Sequence, residues 1–220
     1  MGSNVFRQSV STNIFGKTKK RRDCYFSALL QKASVIGNEV TAKTPVGIIK
    51  DSRPIEDRPL EVELKQRFGD LEIDTIIGQN HQGAIVTIND RATGMLLMKK
   101  VKSKEAEGVK NAAIELLQDW KPNLHKITAD NGKEFAFHKI ISEELMVDFY
   151  FANPYHSWER GANENLNGLV RQYIPKKTDF SLITDEYIQK VQDDLNNRPR
   201  KRFNFESPKF MFNQKVAFVG

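Results

Sequence analysis

The chain is 220 residues long, 39% hydrophobic and 10% aromatic, which allows one substantial domain with a real core and an appendage. It has no stretch of about 18 uncharged apolar residues and no early apolar run of signal-peptide length, which excludes a transmembrane helix and leads us to expect a cytoplasmic protein. The lone cysteine, Cys24, excludes an internal disulfide and a cysteine-based zinc site, and the formal net charge is +6.

Residues 1–66 read as a basic, poorly cored N-terminal arm. Lys17-Thr18-Lys19-Lys20-Arg21-Arg22 is a solvated basic cluster, Phe26–Leu30 allows a short helix, and Gly37, Pro45, Gly47, Pro54 and Pro59 punctuate the rest of the arm. A folded domain is expected over 67–220. Leu71–Ile77 begins with apolar–polar alternation and predicts a strand, as do Ala84–Ile88 and Met95–Val101. The turns Gly78–Gly83 and Arg91–Gly94 are too short for a crossover, so the three strands form an antiparallel meander. Ser103 is placed to cap a helix with Ala106, Val109, Ala113, Leu116 and Leu117 at helical spacing, ending at Pro122. A strand over Lys126–Asp130, a helix over Glu134–Met146 and a strand over Val147–Phe151 come next, then helices over Arg160–Tyr173 and Asp185–Asn196. This order resembles the ribonuclease-H-like α/β fold, a mixed sheet led by a three-stranded antiparallel meander with helices on both faces.

Charge is unevenly distributed. Residues 1–68 carry 13 Lys/Arg against 7 Asp/Glu, residues 69–170 carry 11 against 15, and residues 171–220 carry 10 against 6. An acidic middle between basic flanks suits an enzyme whose centre gathers cations and whose arms hold phosphates. A solubilising charge pattern is the plainer alternative.

Three acids stand in contexts that bear on such chemistry. Phosphodiester cleavage needs an activated nucleophile and a stabilised leaving oxygen at one phosphorus, which two hard cations about 3.5–4 Å apart supply together. Magnesium takes oxygen ligands, so converging carboxylates suffice. Asp74 lies inside the first strand, a costly place for an unpartnered acid. Asp130 ends a strand before Asn131-Gly132, at the kind of strand mouth where open α/β sheets bind ligands. Glu164 is four residues before Gly168 on a predicted helix, where backbone can approach beside the acid. Each acid alone has a plainer reading: an edge-strand charge for Asp74, a turn for Asp130 and a helix-surface charge for Glu164.

Gly69-Asp70-Leu71-Glu72-Ile73-Asp74, Ala129-Asp130-Asn131-Gly132-Lys133-Glu134-Phe135 and the run from Pro154 to Asn165 closely resemble the insertion-sequence-thirty (IS-thirty) family of bacterial DDE transposases. So do Gly168–Tyr173, Lys176–Asp179 and Leu195–Lys201, and 33 residues separate Asp130 from Glu164 as in that family. The resemblance runs from about Pro54 to Phe212. It implies an integrase catalytic core over 67–220, with a basic C-terminal helix and tail, that cuts DNA at element ends and joins 3′-hydroxyls to a target. It assigns Asp74, Asp130 and Glu164 as catalytic and metal-binding acids for two Mg²⁺ or Mn²⁺ ions, and it implies a homo-oligomer on DNA.

Motif position also lends weight to Asn131, Gly132, Arg160, Asn163, Asn165 and Arg171. Asn163 and Asn165 are placed to orient Glu164 or to hydrogen-bond phosphate, and Arg160 and Arg171 to contact phosphate. Arg198, Arg200 and Lys201, in a basic run containing Pro199 and Phe203, suit the DNA backbone, with a solvated loop as the alternative. Trp158, Phe135, Phe137, Tyr150 and Phe151 read as packing, and His138 and His156 as structural or weak DNA contacts rather than metal ligands. Glu72 shares a strand face with Asp74 and so could support it, but a plain surface acid is the favoured reading.

Members of the family carry an N-terminal helix-turn-helix region. No paired amphipathic helices with a short turn stand before Gly69, so the expectation is a chain lacking that region. Three functions fit: a transposase, a DNA-binding remnant that modulates a full-length enzyme, and a non-specific nuclease of the same fold.

Overall fold

The structure, a computed structural model, describes residues 49–153 and 161–217. The basic run 17–22, the short helix expected at 26–30, and His156, Trp158 and Arg160 lie outside the described residues.

Alternating apolar residues build the expected meander: β1 (Asp70–Ile77), β2 (Ala84–Asp90) and β3 (Leu96–Val101) pair antiparallel. After helix α1 (Ala106–Leu117) the chain returns as β4 (Lys126–Ala129), parallel to β1. After α2 (His138–Leu145) it forms β5 (Asp148–Phe151), parallel to β4. The sheet order is β3-β2-β1-β4-β5. Helices α3 (Gly161–Tyr173), α4 (Asp185–Asn197) and α5 (Pro208–Ala217) complete the described fold. None of the described helices is long and apolar enough to cross a membrane.

Both sheet faces are covered, so each strand sorts its side chains into two cores. Leu71, Ile73, Val86, Ile88, Ile127 and Ala129 pack with Val109, Ala113 and Leu117 of α1 and Ile141 of α2. On the other face Ile76, Ile85, Leu96 and Met98 meet Leu166 and Val170 of α3 and Ile188, Val191 and Leu195 of α4. Even-numbered positions of β1 therefore face α3.

The edge strand β3 is closed by side chains of α4. Asn196 accepts from Leu96 N at 2.9 Å and donates to Leu96 O at 2.8 Å, and Gln192 accepts from Met98 N at 2.7 Å. These amides take the place of a sixth strand and cover backbone groups that would otherwise invite another chain.

Several expectations shift. Ser103 is not the cap: α1 begins at Ala106 after Glu105, and beyond Leu117 it tightens into a 3-10 turn over Gln118–Asn123 that takes in Pro122. The helix expected over Glu134–Met146 divides into a 3-10 turn, Lys133–Phe135, and α2, with Met146 closing it in the left-handed conformation. Residues 49–64, read as part of a poorly cored arm, meet the domain closely. Ile49 joins the α1-side core, Val62 is buried, and Arg53 O accepts from Phe151 N at 2.9 Å. These anchors are isolated residues in a proline-punctuated stretch and leave no periodic trace. Helix α5 has no apolar stripe either. Phe212 stacks on Trp120 at 5.3 Å and stands edge-on to Phe68 at 5.2 Å, Pro208 is buried, and Lys215 Nζ donates to Gln66 O at 2.8 Å.

Candidate active site

The first two acids meet through strand register. Glu72 of β1 lies opposite Thr128 of β4 in the parallel ladder, and Asp74 and Asp130 each follow two residues beyond that pair, Asp130 just past the end of β4. Asp74 shares the face of Glu72 and Ile76, and Asp130 that of Thr128, which is the face covered by α3.

Local turns hold Asp130 in place. Its Oδ1 accepts from Gly132 N at 2.9 Å, and Asn131 donates Nδ2 to Ala152 O at 2.6 Å, tying the loop to the end of β5. Beneath the loop Glu134 is buried, paired with Lys104 at 2.7 Å and accepting from Thr75 Oγ1 at 3.0 Å. A Cβ on Gly132 would stand 2.3 Å from the Glu134 carboxylate, so only glycine leaves this acid its seat. Sequence reasoning missed Glu134, which falls between a turn and a helix.

Helix α3 carries Glu164 and is docked on β1 by two asparagines one turn apart. Asn163 donates its backbone N–H to Glu72 Oε2 at 3.1 Å, and its side chain reaches Ile73 O at 3.5 Å. Asn167 donates Nδ2 to Asp74 Oδ2 at 3.0 Å, while Asp74 Oδ1 accepts from Thr75 N at 2.7 Å. Glu164 lies between them and is exposed.

Glu72 is not the surface acid expected. It is 1% exposed and lies 3.0 Å from Arg91 Nη1. Burial pushes its carboxyl above the ordinary range, and Arg91 and the Asn163 amide oppose that shift. Alternation put Glu72 beside Asp74, but only the arrival of Arg91 from the β2–β3 turn makes it interior.

The residues expected to contact DNA divide into two groups. Asn163 is 1% exposed, and Asn131 spends its side chain on Ala152. Arg171 donates to Ile77 O at 3.1 Å and Pro175 O at 3.2 Å, anchoring the end of α3 to the end of β1. The others gather elsewhere. Asn165, Arg198, Arg200 and Lys201 line one groove of about 320 Å³ beside α3, with Leu166 and Leu169 on its wall. Arg198 and Lys201 are exposed, whereas Arg200 is half-buried and donates to Leu195 O at 2.9 Å. Arg202, from the same basic run, lines the groove too and stacks at 4.3 Å over Phe203. It packs on the β2–β3 turn at Gly94, whose φ is +71° and where a Cβ would meet Arg202 Nη2 at 2.6 Å.

Among the described residues no three His, Cys, Asp or Glu side chains stand close enough together to hold a metal ion. Two of the acids follow a paired position of neighbouring strands, and the third is on the helix docked on β1. Two carboxylates 4 Å apart repel by about 4 kcal/mol at an effective dielectric of 20, so three acids close up only when cations compensate. The donor chemistry fits a hard cation: all three groups are oxygen ligands. Asn167 Oδ1, buried beside Asp74, accepts no hydrogen bond among the described residues, so oxygen acceptors outnumber donors there. His138 is structural as expected, with Nδ1 3.2 Å from Phe135 O and its ring edge-on to Phe151.

No family model matches the chain. Among curated proteins it is 56% identical over 170 residues to the transposase for insertion sequence element IS4351 of Bacteroides fragilis, covering 77% of this chain and 52% of that one. It is 33% identical over 186 residues to transposase InsI for insertion sequence element IS30A of Escherichia coli K12, covering 83% and 48%. The chain thus spans about half the length of the curated relatives it matches. Among solved structures, the catalytic core domain of BIV integrase aligns with a TM-score of 0.54 at 14% identity, covering 69% of this chain and 99% of that one. A simian T-cell lymphotropic virus intasome in complex with a PP2A regulatory subunit aligns at 0.55 and 15% identity, covering 66% and 54%. These likenesses establish the ribonuclease-H-like fold of integrase cores. Over most of its length the chain is thus a homologue of insertion-sequence transposases, IS30A's among them, with the fold of integrase catalytic cores.

Proposed function

We propose that this chain catalyses metal-dependent DNA cleavage and strand transfer for a bacterial insertion sequence, with Asp74, Asp130 and Glu164 as the acids. The carrying observation is that the parallel β1–β4 ladder sets the strands leading to Asp74 and Asp130 side by side, while Asn167 ties Asp74 to the helix of Glu164. The names of the relatives, transposases of insertion sequences, support the same reaction class.

The three carboxylates would hold two divalent cations, Mg²⁺ or Mn²⁺, which supply activation of the attacking hydroxyl and stabilisation of the leaving oxygen. The protein's own part is placement. Thr75 N–H and Asn167 fix the rotamer of Asp74, and the Gly132 N–H fixes that of Asp130. Substrate phosphate would complete the oxygen ligand set around those cations beside Glu164. The groove beside α3 takes the DNA backbone through Arg198, Arg200, Lys201 and Arg202, with Asn165 at its wall next to Glu164. Arg160 is a further phosphate contact by its place in the motif. DNA ends, a target duplex and further copies of the chain are the partners this reaction needs.

The test is an end-labelled duplex carrying the element's terminal repeats, incubated with the chain with and without Mn²⁺. Metal-dependent nicking and joining that Asp130→Ala abolishes is the expected result. Salt-sensitive binding with no nicking would overturn it in favour of a binding remnant, and nicking of any duplex without joining would make the chain a nuclease.

A further inference from the structure

An ionic chain, buried except for the half-exposed Glu63, links β4, β1 and α3. Arg58 donates Nη1 to Thr128 Oγ1 at 2.7 Å, two residues before Asp130, and pairs through Nη2 with Glu63. The other oxygen of Glu63 faces Arg91 Nη2 at 3.1 Å. Arg91 Nη1 lies 3.0 Å from Glu72 Oε1, two residues before Asp74. Glu72 Oε2 accepts from Asn163 N, one residue before Glu164. The side chains of Arg58, Arg91 and Glu72 are no more than 2% exposed.

Such charges are a poor stability device. Taking them out of water costs about what their attraction returns, and apolar residues of similar volume serve as well. Their geometry is informative instead. Asn163 is the third residue of α3, where backbone N–H groups lack helical partners, and a carboxylate there also meets the positive end of the helix. Here that carboxylate comes from β1, 91 residues away in sequence. It fixes the first turn of α3, and therefore Glu164, to the strand of Asp74.

We propose that Glu72 is a positioning residue: held by Arg91 and acting through the Asn163 amide, it registers Glu164 against Asp74 and Asp130 for cation binding. This rests on the metal-dependent reading above. Asn167 makes a second tie from the same helix, but to Asp74 itself, so it orients the acid, whereas Glu72 orients the helix.

The experiment uses the full chain, Glu72→Gln and the double variant Glu72→Gln/Arg91→Met. It reads amide hydrogen exchange over the first turn of α3, Mn²⁺ affinity from the spin resonance of unbound Mn²⁺, and the melting temperature. Glu72→Gln should speed exchange there about tenfold and weaken Mn²⁺ binding about 10- to 100-fold, the usual effect of losing a residue that orients a metal ligand. The double variant leaves no buried charge unpaired against Glu72, so it should recover the melting temperature without recovering protection or Mn²⁺ affinity. Recovery of all three would make the ionic chain merely structural and overturn the proposal. So would Glu72→Gln with unchanged exchange and Mn²⁺ affinity. If the unaltered chain binds no Mn²⁺, the metal-dependent function is what fails, and exchange still decides whether Glu72 holds α3.

Discussion

Asn167 of α3 donates its side-chain amide to Asp74 Oδ2 at 3.0 Å, so one hydrogen bond joins the first acid to the helix that carries the third. Glu164 lies three residues before Asn167, on a neighbouring position of the helix surface. A shift of α3 therefore moves Glu164 and releases Asp74 together.

Asn167→Ala should lower single-turnover nicking about 10- to 100-fold. The lost bond is worth about 1 kcal/mol, so the melting temperature should fall by only about 2–4 °C. An unchanged rate would mean that the Thr75 amide alone orients Asp74.

Gly132 and Glu134 should be coupled. Gly132→Ala forces the Glu134 carboxylate from its place between Lys104 and Thr75, and Glu134→Ala removes the same two contacts. Each change should cost about 2–3 kcal/mol. Since Glu134→Ala also clears the space for a Cβ at Gly132, the double variant should cost less than the sum by about 1–2 kcal/mol in urea denaturation. Additive costs would show that the loop relaxes around the added methyl group without moving Glu134.

Asn196→Ala should cost about 2–3 kcal/mol, because it leaves Leu96 N and O without partners on a buried edge. It also uncovers β3, so the variant should associate more readily when light scattering is followed at raised concentration. A monomeric variant of unchanged stability would refute the edge-covering role.

The groove and the Arg171 anchor should separate in salt titrations. Lys201→Ala and Arg198→Ala should each reduce the slope of log K against log salt by about one for a short duplex, as loss of one phosphate contact does. Arg171→Ala should lower the melting temperature and leave that slope alone, because its guanidinium is spent on Ile77 and Pro175 carbonyls. A reduced slope with Arg171→Ala would return it to the DNA surface.

The strands and most of the helices were legible because they repeat over short range. The alternation that opens Leu71–Ile77 marks a strand, the apolar run Ala84–Ile88 fits burial on both sides, and Val109, Ala113 and Leu117 report one helix face. Two acids could be set on one face by parity alone. Helix α5 was not legible, since it packs through Phe212 and has no apolar stripe. Nor were the roles of the polar neighbours: Asn131, Asn163 and Arg171 stand in motifs that suggest DNA, yet their side chains hold the scaffold.

By itself the sequence determined which face each strand residue takes, where the turns fall, and which three acids share that frame with their motifs. Tertiary structure decided what each polar side chain is for. Glu72 meets Asn163 across 91 residues, Asp74 meets Asn167 across 93, and Asn196 meets Leu96 across 100. Periodicity records burial over a few residues, whereas a hydrogen bond needs a partner at about 3 Å, and only the folded chain brings these partners that close.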